Sequence, residues 1–223
     1  MALFEFDDVS LDVPDALLDK KLTQKMSSKD YEGPEARAVR MRVQKDHRVL
    51  ELGGGIGYIS SICAQITAPQ NVTTVEANPK TVDVIRQNLN RNGANTARVI
   101  HGAVIGGSIG SDHLLFRVGR VFWGSSIADD TASPEDVVEV PTLLLADLLE
   151  TYRPHVVIMD IEGAEQSLFD QPWPRFVRHV IVELHPRKYA PSVIKKIVDC
   201  MSQTNLTYDP GCSTGALLAF RRA

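Results

Sequence analysis

Cysteine is scarce: the 223-residue chain has three, Cys63, Cys200 and Cys212, an odd number with no CxxC spacing. That count rules out a disulfide framework, and the three read as buried thiols suited to a reducing compartment. Long apolar runs are missing too, since none approaches the 18 or so residues of a membrane span. The opening MALFEFDDVSLDVPD carries acids where a secretory signal needs lysines. A cytoplasmic protein with no membrane partner is the expectation. Positive charge is also lacking. Lys and Arg number 24 against 28 Asp and Glu, a net charge of −4, so no basic field exists to hold a nucleic-acid backbone. Aromatics are few at 6%, yet 43% of the residues are hydrophobic and 23% charged, the balance of a globular chain with one sizeable core.

What is present is a rhythm. Alternation in Leu3-Phe4-Glu5-Phe6 and in Val9 to Val13 predicts a short edge hairpin, and a helix-like stretch follows to about Met26. Residues 1–30 are read as an N-terminal extension with no assigned chemistry, a candidate for covering the site or for meeting a second copy in a homodimer. From residue 31 to 223 a single domain is expected. Ala36, Val39 and Val43 share a helical face, and His47 to Leu52 then switches to a buried strand. Glycines 53, 54, 55 and 57 separate it from a helix over Tyr58 to Thr67. Strand, helix and strand recur at Asn71–Glu76, Pro79–Arg91 and Ala97–His101. Between Val104 and Val140 the rhythm breaks into an inserted hairpin around 105–140, with an acidic loop at 129–136. Helix is expected over Thr142–Tyr152, strand over His155–Asp160, a helix starting at Glu165–Phe169, strand over His179–Glu183 and helix over Pro191–Met201. Two closing strands, Leu206–Tyr208 and Ala216–Phe220, predict an antiparallel hairpin at the sheet edge. The fold class is α/β and Rossmann-like, with a mostly parallel sheet covered on both faces.

The glycine run Glu51-Leu52-Gly53-Gly54-Gly55-Ile56-Gly57 sits between strand and helix, where the backbone must turn sharply and let a ligand approach. Glu76 closes the next strand about twenty residues on, where a carboxylate can accept both hydroxyls of a ribose. Together they point to an adenosine-bearing cofactor. A dinucleotide fingerprint needs a third glycine where this sequence has Tyr58 or Ser60, which disfavours NAD. A cofactor with an amino-acid head and no pyrophosphate has an ammonium that an acid such as Glu51 can meet.

The segments ELGGGIGYIS, VEANP, HGAVIG, WGSSI, VPTLLLADLL, VIMDIEGAEQSLF and VIVELHP, in that order from Tyr31 to Pro186, resemble the FkbM family of S-adenosylmethionine-dependent methyltransferases. The resemblance implies a seven-stranded methyltransferase sheet and O-methylation of a small-molecule acceptor such as a sugar or polyketide-like metabolite. It also implies that Gly53, Gly55 and Gly57 lie along the methionine moiety, that Glu76, with Ala77 and Asn78 beside it, holds the ribose, and that Gly102 and Ala103 flank the adenine. Glu51 stands where family members more often have Asp.

Ligands of such sheets gather at the carboxyl ends of the strands, which brings Asp160, Glu162, Glu183 and His185 beside the cofactor. Residues i and i+2 share a face, aligning Asp160 with Glu162 and Glu183 with His185. Methyl transfer needs alignment, exclusion of water and a group to take the acceptor's proton. His185 and Asp160 are the candidate bases, with Glu183 beside them. Asp160 is equally a partner for the cofactor ammonium. Asp160, Glu162 and Glu183 also form an oxygen set that Mg²⁺ favours, although no compact ligand motif accompanies them. Glu165 reads as a helix cap. Gly106-Gly107-Ser108-Ile109-Gly110 matches GxSxG, but Leu114 to Val118 reads as a strand where a nucleophile elbow needs a helix. Ser125 and Ser126 after Trp123-Gly124 are pocket or turn residues, and Trp173 between prolines is a packed loop. Two rival functions remain: a nicotinamide-dependent oxidoreductase, and a cofactor-binding domain without turnover.

Overall fold

The computed structural model describes residues 1–6, 8–107, 110–119, 125–128, 133 and 136–223. Alternation at the N-terminus gives the expected hairpin, β1 (Ala2–Phe6) and β2 (Val9–Val13), but as a two-stranded sheet of its own instead of an edge of the main sheet. Its inward residues Phe6, Val9, Leu11 and Val13 join the core. Helix α1 (Lys20–Ser27) follows, capped by Asp19, whose carboxylate accepts the Leu22 N–H, and buries Leu22 and Met26.

Helix α2 (Gly33–Arg42) starts on a proline in its first turn and leads to β3 (Val49–Leu52), with every residue buried. Helix α3 (Tyr58–Ile66), β4 (Val72–Glu76), α4 (Pro79–Arg91) and β5 (Arg98–His101) continue the predicted alternation. Two side-chain amides, Asn88 of α4 and Asn92 at its C-terminal cap, tie down the N-terminal hairpin. Asn92 accepts the Ser10 N–H at 3.0 Å and donates to the Ser10 carbonyl at 2.8 Å, as a neighbouring strand would. Asn88, fully buried, accepts the Asp12 N–H at 2.8 Å and donates to the Ile56 carbonyl, inside the glycine loop, at 2.9 Å.

The insertion forms a second sheet. Strand β6 (Ala103–Ile105) runs parallel to β9 (Val137–Leu144), which pairs antiparallel with β7 (His113–Arg117), and β8 (Ser126–Ile127) flanks β7. The inserted hairpin is therefore β7–β9. Ser108 and Ile109 of the GGSIG run, Trp123-Gly124 and most of the acidic 129–136 stretch lie outside the described residues. Helix was expected from Thr142, but β9 runs to Leu144 and α5 begins at Leu145 (Leu145–Tyr152). The apolar run Leu143 to Leu145 fits either period, and pairing of Thr142 to Leu144 with β6 settles it as strand.

Strands β10 (Val156–Met159) and β11 (His179–Glu183) follow as expected. Between them the expected helix is only a 3-10 turn over Ala164–Ser167, and Trp173 packs beneath it against Phe169. Helix α6 (Pro191–Gln203) leads to β12 (Leu206–Tyr208) and β13 (Leu217–Arg222). The main sheet has seven strands in the order β12-β13-β11-β10-β3-β4-β5. All pairs from β11 to β5 are parallel, and β13 is inserted antiparallel between β11 and β12. The closing hairpin thus sits at the edge with its second strand inboard. Alternate residues feed two cores: Val156 and Ile158 face α2, α3 and α4, whereas Val157 and Met159 face α5 and α6. The three cysteines are buried free thiols. Among the described residues no helix is long and apolar enough to cross a membrane.

Candidate active site

The turn after β3 is strapped to β4. Gly53 and Gly54 N–H both donate to the Val75 carbonyl, at 2.9 and 3.2 Å. Gly53 has φ +89°, and a Cβ there would lie 1.8 Å from the Asp160 carbonyl oxygen, so only glycine lets the loop close against the end of β10. At the end of β4, Glu76 Oε2 accepts the Gly55 N–H at 2.9 Å and Oε1 accepts the Asn78 N–H at 2.6 Å. One carboxylate therefore fixes two loops, and each oxygen retains a lone pair for a ligand hydroxyl. Burial pushes the Glu76 carboxyl up to about 7, against the pull of those backbone amides.

Glu76 lines a cavity of about 540 Å³ together with Gly53, Gly55, Ala77, Gly102, Ala103, Asp160, Glu162, Glu183 and His185. Three expected cofactor residues stand behind its wall. Glu51 is buried and takes a hydrogen bond from Ser60, with its carboxyl pushed up to about 7 by burial. Gly57 caps α3, and Asn78 caps α4 by accepting the Lys80 N–H at 3.0 Å. Residues given no role in the sequence also reach the cavity: Lys21, Leu22 and Lys25 of α1, and Tyr31, Glu32 and Glu35 around the start of α2. Glu35 looks like an ordinary first-turn acid, yet it is 8% exposed and burial raises its pKa. From the second sheet come Phe116 and Ile127, with Ser125 just before β8, but Ser126 is not on the wall.

The far wall is made where β10 and β11 end. Glu162 has φ +55° and Gly163 φ +104°, a left-handed pair that reverses the chain and sends Glu165 back toward β11. Glu165 is fully buried, and its Oε1 accepts the Ile161 N–H at 3.2 Å and meets His185 Nδ1 at 3.0 Å. It serves less as a helix cap than as the partner of a histidine 20 residues away. The His185 backbone N–H donates to the Tyr189 hydroxyl at 2.7 Å, pinning the residue at both ends. His185 Nε2 faces Asp160 Oδ1 at 3.4 Å and Glu162 Oε2 at 3.6 Å. Burial pulls the imidazole pKa down, but Glu165, Asp160 and Glu162 outweigh it and lift it to about 9. Asp160 is raised by burial and by Glu183. Glu162 is turned to Lys188, whose Nζ lies 2.7 Å from Oε2.

A glycine loop against a buried strand-end acid, facing a strand-end cluster of acids and a histidine across one cavity, is a site for a charged small ligand. The sequence matches the model of the methyltransferase FkbM domain over residues 53–209. The chain belongs to the FkbM methyltransferase family. The match spans the glycine loop, Glu76 and the strand-end cluster, and it makes the protein a methyltransferase. Among solved structures, the chain is similar to a precorrin-6y C5,15-methyltransferase from Geobacter metallireducens, at 12% identity over 96% of this chain and 94% of that one, with a TM-score of 0.48. It is also similar to an O-methyltransferase from Bacillus cereus solved with SAH, at 15% identity over 92% of each chain, with a TM-score of 0.48. None of the curated proteins matches the sequence.

Proposed function

We propose that this FkbM-family methyltransferase uses S-adenosylmethionine and methylates a hydroxyl oxygen of a small molecule. The observation that carries the reading is Glu76, held at the end of β4 by Gly55 and Asn78 N–H and opening on the same cavity as Asp160, Glu183 and His185. The residues fit the cofactor. Gly53 and Gly55 would receive its methionine portion, Glu76 its ribose hydroxyls and Gly102 with Ala103 its adenine end. The acids on the wall suit its positive charge. When bound it supplies a methyl group already activated on a sulfonium.

The chain's own residues do the rest. The walls from α1, α2 and the second sheet exclude water, and a cavity of about 540 Å³ has the size of a small-molecule pocket. Asp160 is the group to take the acceptor's proton. Its Oδ1 is shut off from solvent without a hydrogen-bond partner and points toward His185 Nε2, whose ring Glu165 holds in place. Glu183 borders the same spot and orients the acceptor.

Calorimetry with S-adenosylhomocysteine, S-adenosylmethionine and NAD⁺ tests the cofactor. Saturable binding of the adenosyl pair alone supports the reading, and binding of NAD⁺ alone sinks it. Glu76→Ala is expected to weaken adenosylhomocysteine binding by about 1.5–3 kcal/mol through loss of charge-assisted ribose bonds. An acceptor screen with isotopically labelled methyl donor then decides between an enzyme and a binding domain without turnover.

A further inference from the structure

Four carboxylates, Asp160, Glu162, Glu165 and Glu183, converge on one imidazole, and Glu162 is paired with Lys188. Two oxygens there are unanswered. Asp160 Oδ1 has no hydrogen-bond partner, and Glu165, with 0% of its side chain exposed, leaves Oε2 without one. A buried anion in that state is costly unless a cation completes it.

The geometry suits an ion. One donor atom from each of Asp160, Glu183 and His185 lies within 4.8 Å of the others. The 3.4 Å between His185 Nε2 and Asp160 Oδ1 is long for a hydrogen bond. It is the spacing expected of two donors about 2.1 Å from one ion at near-tetrahedral angles. Glu165 Oε1 on Nδ1 keeps a proton on Nδ1, so an ion entering beside Asp160 displaces the proton of Nε2 and takes its lone pair, the arrangement an outer carboxylate gives a metal-bound histidine. We propose that Asp160, Glu183 and His185 form a binding site for a divalent first-row transition cation, with Glu165 as the residue that positions His185. Two carboxylates and one imidazole suit Mn²⁺ or Zn²⁺ better than an all-oxygen Mg²⁺ site. Glu162, grouped with Asp160 and Glu183 by sequence, is given over to Lys188, and His185 takes its place.

Binding of the ion stands apart from the methyltransferase reading, whereas its role rests on it. An acceptor hydroxyl on an open coordination position loses its proton more readily, here to the carboxylate oxygen of Glu183 that the ion leaves free. The new O–CH₃ bond forms as the donor's C–S bond breaks, and sulfur keeps the electron pair. Asp160 then acts through the ion and no longer as a free base.

Mn²⁺ alone is the probe. Titrated into the purified full-length chain, Mn²⁺ should lose its free-ion electron paramagnetic resonance signal at one site per chain with a Kd below about 1 mM. Asp160→Asn, Glu183→Gln and His185→Gln should each weaken binding at least tenfold. Glu165→Gln should weaken it by about tenfold without abolishing it. Circular dichroism establishes folding, and if Asp160→Asn fails to fold, Glu183→Gln and His185→Gln carry the comparison. An undiminished free-ion signal, or binding indifferent to all three ligand variants, overturns the site. Adenosylhomocysteine calorimetry without metal reports on the cofactor reading separately, so a chain that binds the nucleoside but no Mn²⁺ loses the ion and keeps the methyltransferase assignment.

Discussion

Histidines sit at the amino ends of β10 and β11 and at the carboxyl end of β11, and the two ends treat them in opposite ways. At the amino ends, His155 and His179 lie near His47, whose ring is 5.4 Å from that of His155 and 6.0 Å from that of His179. Burial, aided for His155 by Arg48 and for His179 by His47 and Arg42, pulls each pKa down to about 4. At the carboxyl ends, burial acts on His185 in the same direction, but carboxylates override it and lift the pKa to about 9. In the ion-free chain the same residue type is kept neutral at the amino ends of these strands and charged at the carboxyl end of β11. Position along the strand therefore says more about a histidine's work than its burial does, because loops at the carboxyl ends bring acids and those at the amino ends bring arginines.

Three variants break or sharpen this contrast, and the largest effect belongs to the carboxyl end. Gly53→Ala places a Cβ 1.8 Å from the Asp160 carbonyl in a left-handed backbone, so the loop must leave β10. A loss of about 3 kcal/mol or more in urea unfolding is expected, together with loss of adenosylhomocysteine binding. Unchanged stability would mean that the two loops do not touch as described. At the amino end, Asp209 is paired with Arg42, accepting from Nη2 at 2.9 Å, and its side chain is 3% exposed. Asp209→Asn should cost about 2–3 kcal/mol and also remove a carboxylate that raises His179, leaving that imidazole harder to protonate.

The smallest effect is a slope. His155 and His179 have folded pKa values below the unfolded value near 6.5, so the unfolded chain takes up protons first as pH falls. Their contribution is complete above about 6.5 and is lost as pH drops toward 4. Denaturant midpoints measured between pH 7 and 4.5 should fall, and the double variant His155→Gln with His179→Gln should flatten that fall. His185 has the opposite sign: in the ion-free chain its contribution is complete below 6.5 and lost as pH rises through about 9.

Much of the fold was legible because each element carries its own period: the β-branched Val72 to Val75, the helical spacing of Val82, Ile85 and Leu89, and the apolar run Val180 to Val182 fall in the strand, helix and strand they predict. The β9–α5 boundary was not, since a run of leucines satisfies both periods and only pairing with β6 decides. In the site, the glycine loop and Glu76 could be read because a strand, a turn and a strand-end acid are local signals. The partnership of Glu165 with His185 could not, because it depends on a chain reversal at Glu162 and Gly163 that no spacing rule encodes. Lys21, Leu22 and Lys25 were equally hidden, for their place on the wall depends on how the hairpin docks.

That docking has a consequence for anyone recombining members of this family. Asn88 holds Asp12 with one end of its amide and Ile56 with the other, so the N-terminal hairpin and the glycine loop share one bracket. The first thirty residues are then not a cassette to be exchanged between relatives at will. A foreign arm that presents no N–H at the place of Asp12 leaves the amide half-used and frees the loop it was holding, and the graft would show as a weaker grip on the nucleoside even where the wall residues Lys21, Leu22 and Lys25 are kept.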